Sequence, residues 1–347
     1  MMEQANKRTE IADIGEFGLI NRIKSGVTLH NKSSILGIGD DAAIIDIGNG
    51  YCQVVSTDLL AEGIHFDLSF TPLQHLGYKA VSVNISDIAA MNARPEQIVV
   101  SIALSNRFSV EAVDALYEGI MTACKDYKVD LVGGDTTSSR SGLVISITAI
   151  GRAPKEKITC RHTAQKGDII CVSGDLGGAY IGLQLLLREK AEFSANPNMQ
   201  PQLEPFSYVV GRQLRPVAKT SLIYELADLG VVPTAMIDIS DGLASELLHI
   251  AKSSRLGAVI YEDKIPIAQQ TYDVAINEFK LIPSVCALNG GEDYELLFTI
   301  AQKDYEKIKL HDDISFIGYM ADVSEAYQMV TRAGQKVPVT AQGWQHF

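Results

Sequence analysis

Residues 35–66 read ILGIGDDAAIIDIGNGYCQVVSTDLLAEGIHF. Two apolar, β-branched runs, 42–47 and 51–56, flank Gly48-Asn49-Gly50. That is the pattern of a β-hairpin. Asp40 and Asp41 enter the first strand and Asp58 leaves the second, so antiparallel pairing gathers their carboxylates at one end, beside Gly37 and Gly39. Like charges repel strongly where water is partly excluded. The arrangement calls for a cation, and hard oxygen donors favour Mg2+ or Ca2+ over softer ions. A solvated acidic loop is the other reading of the same residues. Gly37-x-Gly39-x-x-Ala42 also fits a dinucleotide fingerprint, with Asp58 near the ribose-binding distance. That fingerprint needs a strand before the glycines and a helix after them. Here only Ile35 and Leu36 precede, and a strand-like run follows.

Outward from the hairpin, residues 10–30 look helical, with Phe17, Ile20 and Ile23 on one face. Residues 72–91 form a second helix, buried by the spacing of Leu76, Ala80, Val83 and Ile88. Asn84 and Asp87 share a face of it, and Asp87 is either a helix-end cap or a ligand. Strands are expected at 97–104 and 143–150, with a helix at 110–127. In VDLVGGDTTSS (129–139) a short strand runs into a Gly133-Gly134-Asp135 turn. Its backbone N–H groups could approach an anion and Asp135 a metal, or it is simply a turn.

Residues 154–167, PKEKITCRHTAQKG, are polar and basic and read as a link carrying Arg161. They divide the chain into domains 1–152 and 153–347. A strand at 168–173 enters the turn Gly174-Asp175-Leu176-Gly177-Gly178, which lacks the lysine and hydroxyl of a P-loop. A helix to about Leu187 and a proline-containing loop at 191–208 follow. Residues 235–260 read as strand, acidic turn, amphipathic helix and strand. Ser240 or Asp241 would cap that helix, which leaves Asp238 unexplained. In LNGGEDYELLFTI (288–300), Gly290-Gly291 precede Glu292 and Asp293, and a strand follows.

The 347 residues are enough for two domains, and 46% are hydrophobic, so the chain is globular. A net charge of −12 argues against general nucleic-acid or anionic-membrane binding. No apolar run reaches membrane-spanning length, and the polar N-terminus is no signal peptide. Five scattered cysteines without a C-x-x-C suit reduced thiols in a cytoplasm.

The candidate acids are Asp40, Asp41, Asp58, Asp87, Asp135, Asp238 and Asp241, with His65 near the hairpin. There is no H-x-x-x-H zinc spacing, no G-x-S-x-G elbow and no kinase catalytic loop. Several aspartates among glycine turns suggest a polyphosphate held through several Mg2+ ions, since phosphoryl transfer needs chiefly positioning and charge neutralisation.

The segments GEFGLI (15–20), GIGDDAAI (37–44), STD (56–58), HF (65–66), YKAVSVNISDIAAM (78–91), GGDTT (133–137), DISDGL (238–243), GGEDYEL (290–296) and GWQHF (343–347) occur in one order along the chain. Taken together, this ordered set resembles the thiamine-monophosphate kinase family, within the aminoimidazole-ribonucleotide synthetase superfamily. The resemblance implies two α/β domains, the first pairing its sheet with a second subunit in a homodimer. It implies phosphorylation of thiamine monophosphate by ATP, with no side-chain nucleophile or general base. Mg2+ would be held by Asp41, Ser56, Thr57, Asp58, Asp87, Asp135, Asp238 and Asp241. Tyr117, Gly134, Asp135, Arg161 and Ser240 would contact ATP, and His65, Glu292 and Trp344 the thiamine substrate. Asn92 stands where the family usually has glycine, and 191–208 matches poorly. A selenophosphate synthetase is disfavoured because the first cysteine, Cys52, lies in a strand. The hydrogenase-maturation relative ends in cysteine, whereas this chain ends Gln345-His346-Phe347. GGEDYEL and the aromatic C-terminus disfavour an aminoimidazole-ribonucleotide synthetase. A non-catalytic metal-binding module is the rival of another class.

Overall fold

Asn49 and Gly50 both adopt positive φ, 54° and 77°, as a tight hairpin turn matching the strand twist requires. They join β2 (Ala43–Gly48) to β3 (Tyr51–Ala61) in a computed structural model that describes residues 9–198 and 200–342. The N-terminal half also holds β1 (Ser34–Leu36), β4 (Arg94–Leu104), β5 (Asp130–Ser138) and β6 (Val144–Pro154). Its helices are α1 (Gly15–Gly26), α2 (Leu73–Ala90) and α3 (Val110–Tyr127). The six strands form one sheet in the order β1-β2-β3-β6-β4-β5. A strand does follow Gly37 and Gly39, which removes the dinucleotide reading.

α2 is buried on nearly every side. It packs on β3 and β6, against α3, and across to the C-terminal half. Apolar residues on several sides suit this central place, and burying each of Leu76, Val81, Ile85 and Ile88 contributes about 1.5–3 kcal/mol. Close approach of α2 and α3 depends on paired glycines. A Cβ on Gly77 would lie 2.1 Å from Leu116 O, and one on Gly119 would lie 1.9 Å from Gln74 O.

The second half comprises β7 (Ile169–Ser173), α4 (Gly178–Ala195), α5 (Ser207–Leu214), α6 (Thr220–Asp228), β8 (Ala235–Asp238), α7 (Leu243–Ser254) and β9 (Gly257–Tyr261). It continues with α8 (Gln269–Phe279), α9 (Pro283–Asn289), β10 (Leu296–Ile300), α10 (Tyr305–Ile308), β11 (Ile314–Ala321), β12 (Tyr327–Val330) and β13 (Lys336–Pro338). Its seven-stranded sheet runs β13-β12-β9-β11-β7-β10-β8, antiparallel except where β12 joins β9. The fold is α/β in two halves, each with its own sheet. Among the described residues no helix is long and apolar enough to cross a membrane. All five cysteines are free and buried.

Several expectations need correction. The GGDTT segment is not a turn but part of the edge strand β5, parallel to β4. Gly134 is there because a Cβ would lie 1.8 Å from Val100 O. α4 runs to Ala195, well past Leu187, and α5 begins at Ser207, so the 191–208 loop is shorter than expected. The face of α1 carrying Phe17 and Ile23 is exposed within one chain, although the Phe17 ring rests 4.5 Å from that of His249. α7 is capped by neither Ser240 nor Asp241. Its N-cap is Gly242, and the Glu246 carboxylate reaches back to accept from the Asp241 N–H (2.8 Å).

Candidate active site

Alternation along β3 sends Ser56 and Asp58 to the α2 side of the sheet. α2 answers with Asn84, Ser86 and Asp87 near its C-terminal end. Ser56 Oγ donates to Asp87 (2.5 Å), and Asn84 Oδ1 accepts from the Asp58 N–H (3.0 Å). Asp87 is therefore no helix cap; it points into the space between sheet and second half. There it meets Asp238 at the end of β8, itself held by Ser86 Oγ at 2.6 Å. Asp41 completes the group, and carboxylate oxygens of Asp41, Asp87 and Asp238 lie within 4.8 Å of one another.

Burial makes this cluster unfavourable without a cation. It pushes Asp41 up to about 8, with Asp238 and Asp40 adding and Arg161 opposing. Asp58 and Asp238 are each pushed up to about 6, chiefly by burial. Asp87 is driven well above the usual carboxylate range by burial, then by Asp58, Asp238 and Asp41. Asp41 Oδ2 is buried without a hydrogen-bond partner. An all-oxygen donor set with an orphaned buried oxygen fits Mg2+.

The cluster adjoins a cleft of about 800 Å³ between the two halves. Asp58, Asp87, Asp238, Ser240, Asp241, His65 and Glu292 all line it. Its other walls are largely apolar, with Ile64, Phe70, Leu183, Leu187 and Val285 among them. The His65 Nδ1 accepts from the Ala61 N–H (3.1 Å), which places the neutral ring's proton on Nε2. Arg161 reaches from the inter-sheet segment to Asp41 (2.5 Å) and Asp40 (3.4 Å), behind the acids.

Other expected residues are not brought together. The Thr57 hydroxyl lies on the opposite face of β3, donating to Ile147 O and accepting from Thr148. Its side chain stands away from the acids because neighbours in a strand point opposite ways. Asp135 pairs with Ser101, Ser101 with Ser146, and Ser146 with Leu59. That row puts Asp135 about 14 Å from β3, and on the sheet face away from α2. Gly134 shares that edge strand, and Tyr117 on α3 is half-buried against the N-terminal core. Trp344 lies outside the described residues.

The sequence reading missed Lys79 and Glu246. Lys79, 3% exposed, pairs with Glu292 Oε1 at 2.7 Å, and Gln213 Nε2 donates to Glu292 Oε2 at 2.6 Å. A lysine within the run whose apolar spacing predicts a buried helix was the available signal. Buried Glu246 fixes the Ser240–Asp241 turn. The turn at 174–178 is no anion site, because the Asp293 carboxylate already accepts from the Gly177 and Ala179 N–H groups at the start of α4.

Two family models match the chain. AIR synthase related protein, N-terminal domain, covers residues 39–153, and AIR synthase related protein, C-terminal domain, covers 165–308. A thiamine-monophosphate kinase of Bacillus subtilis is 35% identical, covering 96% of this chain and 99% of the relative. One of Aquifex aeolicus is 34% identical, covering 97% and 99%. The solved structure of AaThiL complexed with AMPPCP and TMP superimposes with a TM-score of 0.84 at 32% identity, covering 99% of this chain and all of that one. Sequence agreement along nearly the whole length and a shared fold over both halves leave one conclusion: the chain belongs to the thiamine-monophosphate kinase family.

Proposed function

We propose that the protein transfers the γ-phosphoryl group of ATP directly to the phosphate of thiamine monophosphate, giving thiamine diphosphate and ADP. The observation that carries this reading is the convergence of Asp41, Asp87 and Asp238, of which Asp87 and Asp238 line, with Asp58, a cleft that also has apolar walls. Such a cleft suits a polyanion beside the acids and an aromatic ring system against the apolar walls. Asp41, Asp58, Asp87 and Asp238 would hold Mg2+, with Asp241 beside them. When bound, the ions neutralise and align the polyphosphate. Ser56, Ser86 and Asn84 fix the acids or their backbone beforehand, so little reorganisation is left for the reaction. The acceptor is already an ionised phosphate and needs no base. His65 presents an N–H donor, and the Cys286 thiol in the cleft wall is pushed up to about 11 by burial, so it stays protonated. ADP and thiamine diphosphate should appear together, dependent on Mg2+. Labelled ATP without acceptor should leave the protein unlabelled; a kinetically competent phospho-enzyme would refute direct transfer.

Glu292, read as an acceptor contact, lines the cleft with Lys79 and Gln213 fixing its carboxylate. Lys79→Met should raise the acceptor KM about tenfold, the loss of one charge-assisted bond of about 1.5 kcal/mol. The KM for ATP should change little. Equal changes in both constants would contradict the assignment.

The protein is read as a homodimer through its N-terminal sheet. One face of that sheet is covered by α2 and α3, while the other carries exposed Tyr51 and Leu59 and half-buried Val55 and Ile150. Asp135 stands on that open face and could serve the site of a second copy, which would reconcile its distance from Asp58 in one chain. Light scattering should give twice the chain mass of 37.7 kDa at working concentrations; a monomeric mass throughout would exclude this pairing. Five buried free thiols suit a reducing cytoplasm.

A further inference from the structure

Behind the all-oxygen cluster stands a second group of different chemistry. A carboxylate oxygen of Asp40, the Cys160 sulfur and a ring nitrogen of His162 lie within 4.8 Å of one another. Asp40 comes from the loop before β2, and the other two come from the segment joining the sheets. The oxygens of Asp40 divide their partners. Oδ1 accepts from the Asp41 N–H (3.1 Å) and faces Arg161 Nε (3.4 Å), while Oδ2 faces His162 Nδ1 (3.5 Å). The Arg161 N–H lies 3.3 Å from both.

We propose that Asp40, Cys160 and His162 form a site for a thiophilic divalent cation such as Zn2+, distinct from the Mg2+ cluster. Sulfur, imidazole and carboxylate together select zinc-like ions, whereas Mg2+ prefers oxygen donors alone. Three protein ligands leave a fourth position for water, and the His162 side chain, 50% exposed, opens the site to solvent. A tetrahedral ion needs its donors roughly 3.4–3.7 Å apart, and rotation of that exposed ring closes the gap. Binding forms a metal–sulfur bond and releases the Cys160 thiol proton to solvent, with no change of oxidation state. Charge also balances in the filled site: the thiolate and Asp40 neutralise the dication, and Arg161 stays opposed to Asp41. Since Oδ2 would turn to the ion, the hold of Asp40 on the Arg161 main chain would loosen. Resting on the reading of Arg161 as an ATP contact, the filled site weakens ATP binding.

The test is titration of the full-length protein with Co2+ in excess Mg2+, which keeps the oxygen cluster filled. One equivalent should give a near-ultraviolet thiolate-to-cobalt band and tetrahedral visible bands, displaced by Zn2+ and not by more Mg2+. Cys160→Ser should abolish the thiolate band, and His162→Gln should weaken Co2+ binding at least tenfold. His162 is exposed, so the second variant decides the matter if the first misfolds. No thiolate band in the wild type, or undiminished Co2+ affinity in His162→Gln, would overturn the site and leave Asp40 as a hydrogen-bond hub. A wild-type band with an unchanged ATP KM would overturn the coupling to Arg161 alone.

Discussion

Asp58→Asn is expected to lower kcat by on the order of 10²-fold or more, the usual scale for losing a ligand or its support in metal-assisted chemistry. Asp58 lines the cleft on the α2 side of β3, and its backbone is fixed by Asn84 whatever its side chain. Asparagine keeps the shape and removes the charge. The metal-free variant should melt no lower than the wild type, because one member of a buried like-charged group has been neutralised. Lost turnover with retained thermal stability is therefore the combined signature. Near-normal turnover in a folded Asp58→Asn protein would remove Asp58 from the site.

The second large effect is on stability against pH. Asp58 and Asp238 at about 6, and Asp41 at about 8, all lie above the ordinary aspartate value of about 3.9. The native state thus holds protons that the unfolded chain has lost. The stability these groups contribute is full at low pH and falls as pH rises from about 4 through 6 and 8. Mg2+ competes with those protons, so its stabilisation grows over the same window. Thermal scans with chelator and with Mg2+ should diverge progressively between pH 5 and 8. A gap independent of pH would mean that Mg2+ binds elsewhere. Asp58→Asn should narrow the gap.

Local pattern carried much of the fold. The Asn-Gly turn between alternating runs gives the hairpin, and the spacing along 72–91 gives α2, with Asp87 on its working face. The strand–turn–helix around Asp238 and the strand after Glu292 follow from the same signals. Several of the failures come from contacts made by residues distant in sequence. Gly133-Gly134 reads as a turn until Val100 is seen against Gly134. Ser240 and Asp241 read as caps until Glu246, five residues past Asp241 on the same helix, is seen to fold back on them. Thr57 is different: period-two alternation already separates it from Ser56 and Asp58, and grouping the three as one motif hid that. Lys79 marked a buried charge, but its partner Glu292 is more than two hundred residues away and only the fold names it.

α2 belongs to the first sheet, yet its Ser86 grips Asp238 and its Lys79 grips Glu292, both in the second half. The consequence is one of inheritance. A chimera joined within 155–168, with its halves taken from two relatives, keeps each sheet intact but sets α2 of one parent against the β8 turn of the other. Substitutions tolerated in either parent alone would then meet unmatched partners. Such hybrids should fold more often than they turn over, and exchanging α2 together with the second half should restore activity more readily than exchanging either alone.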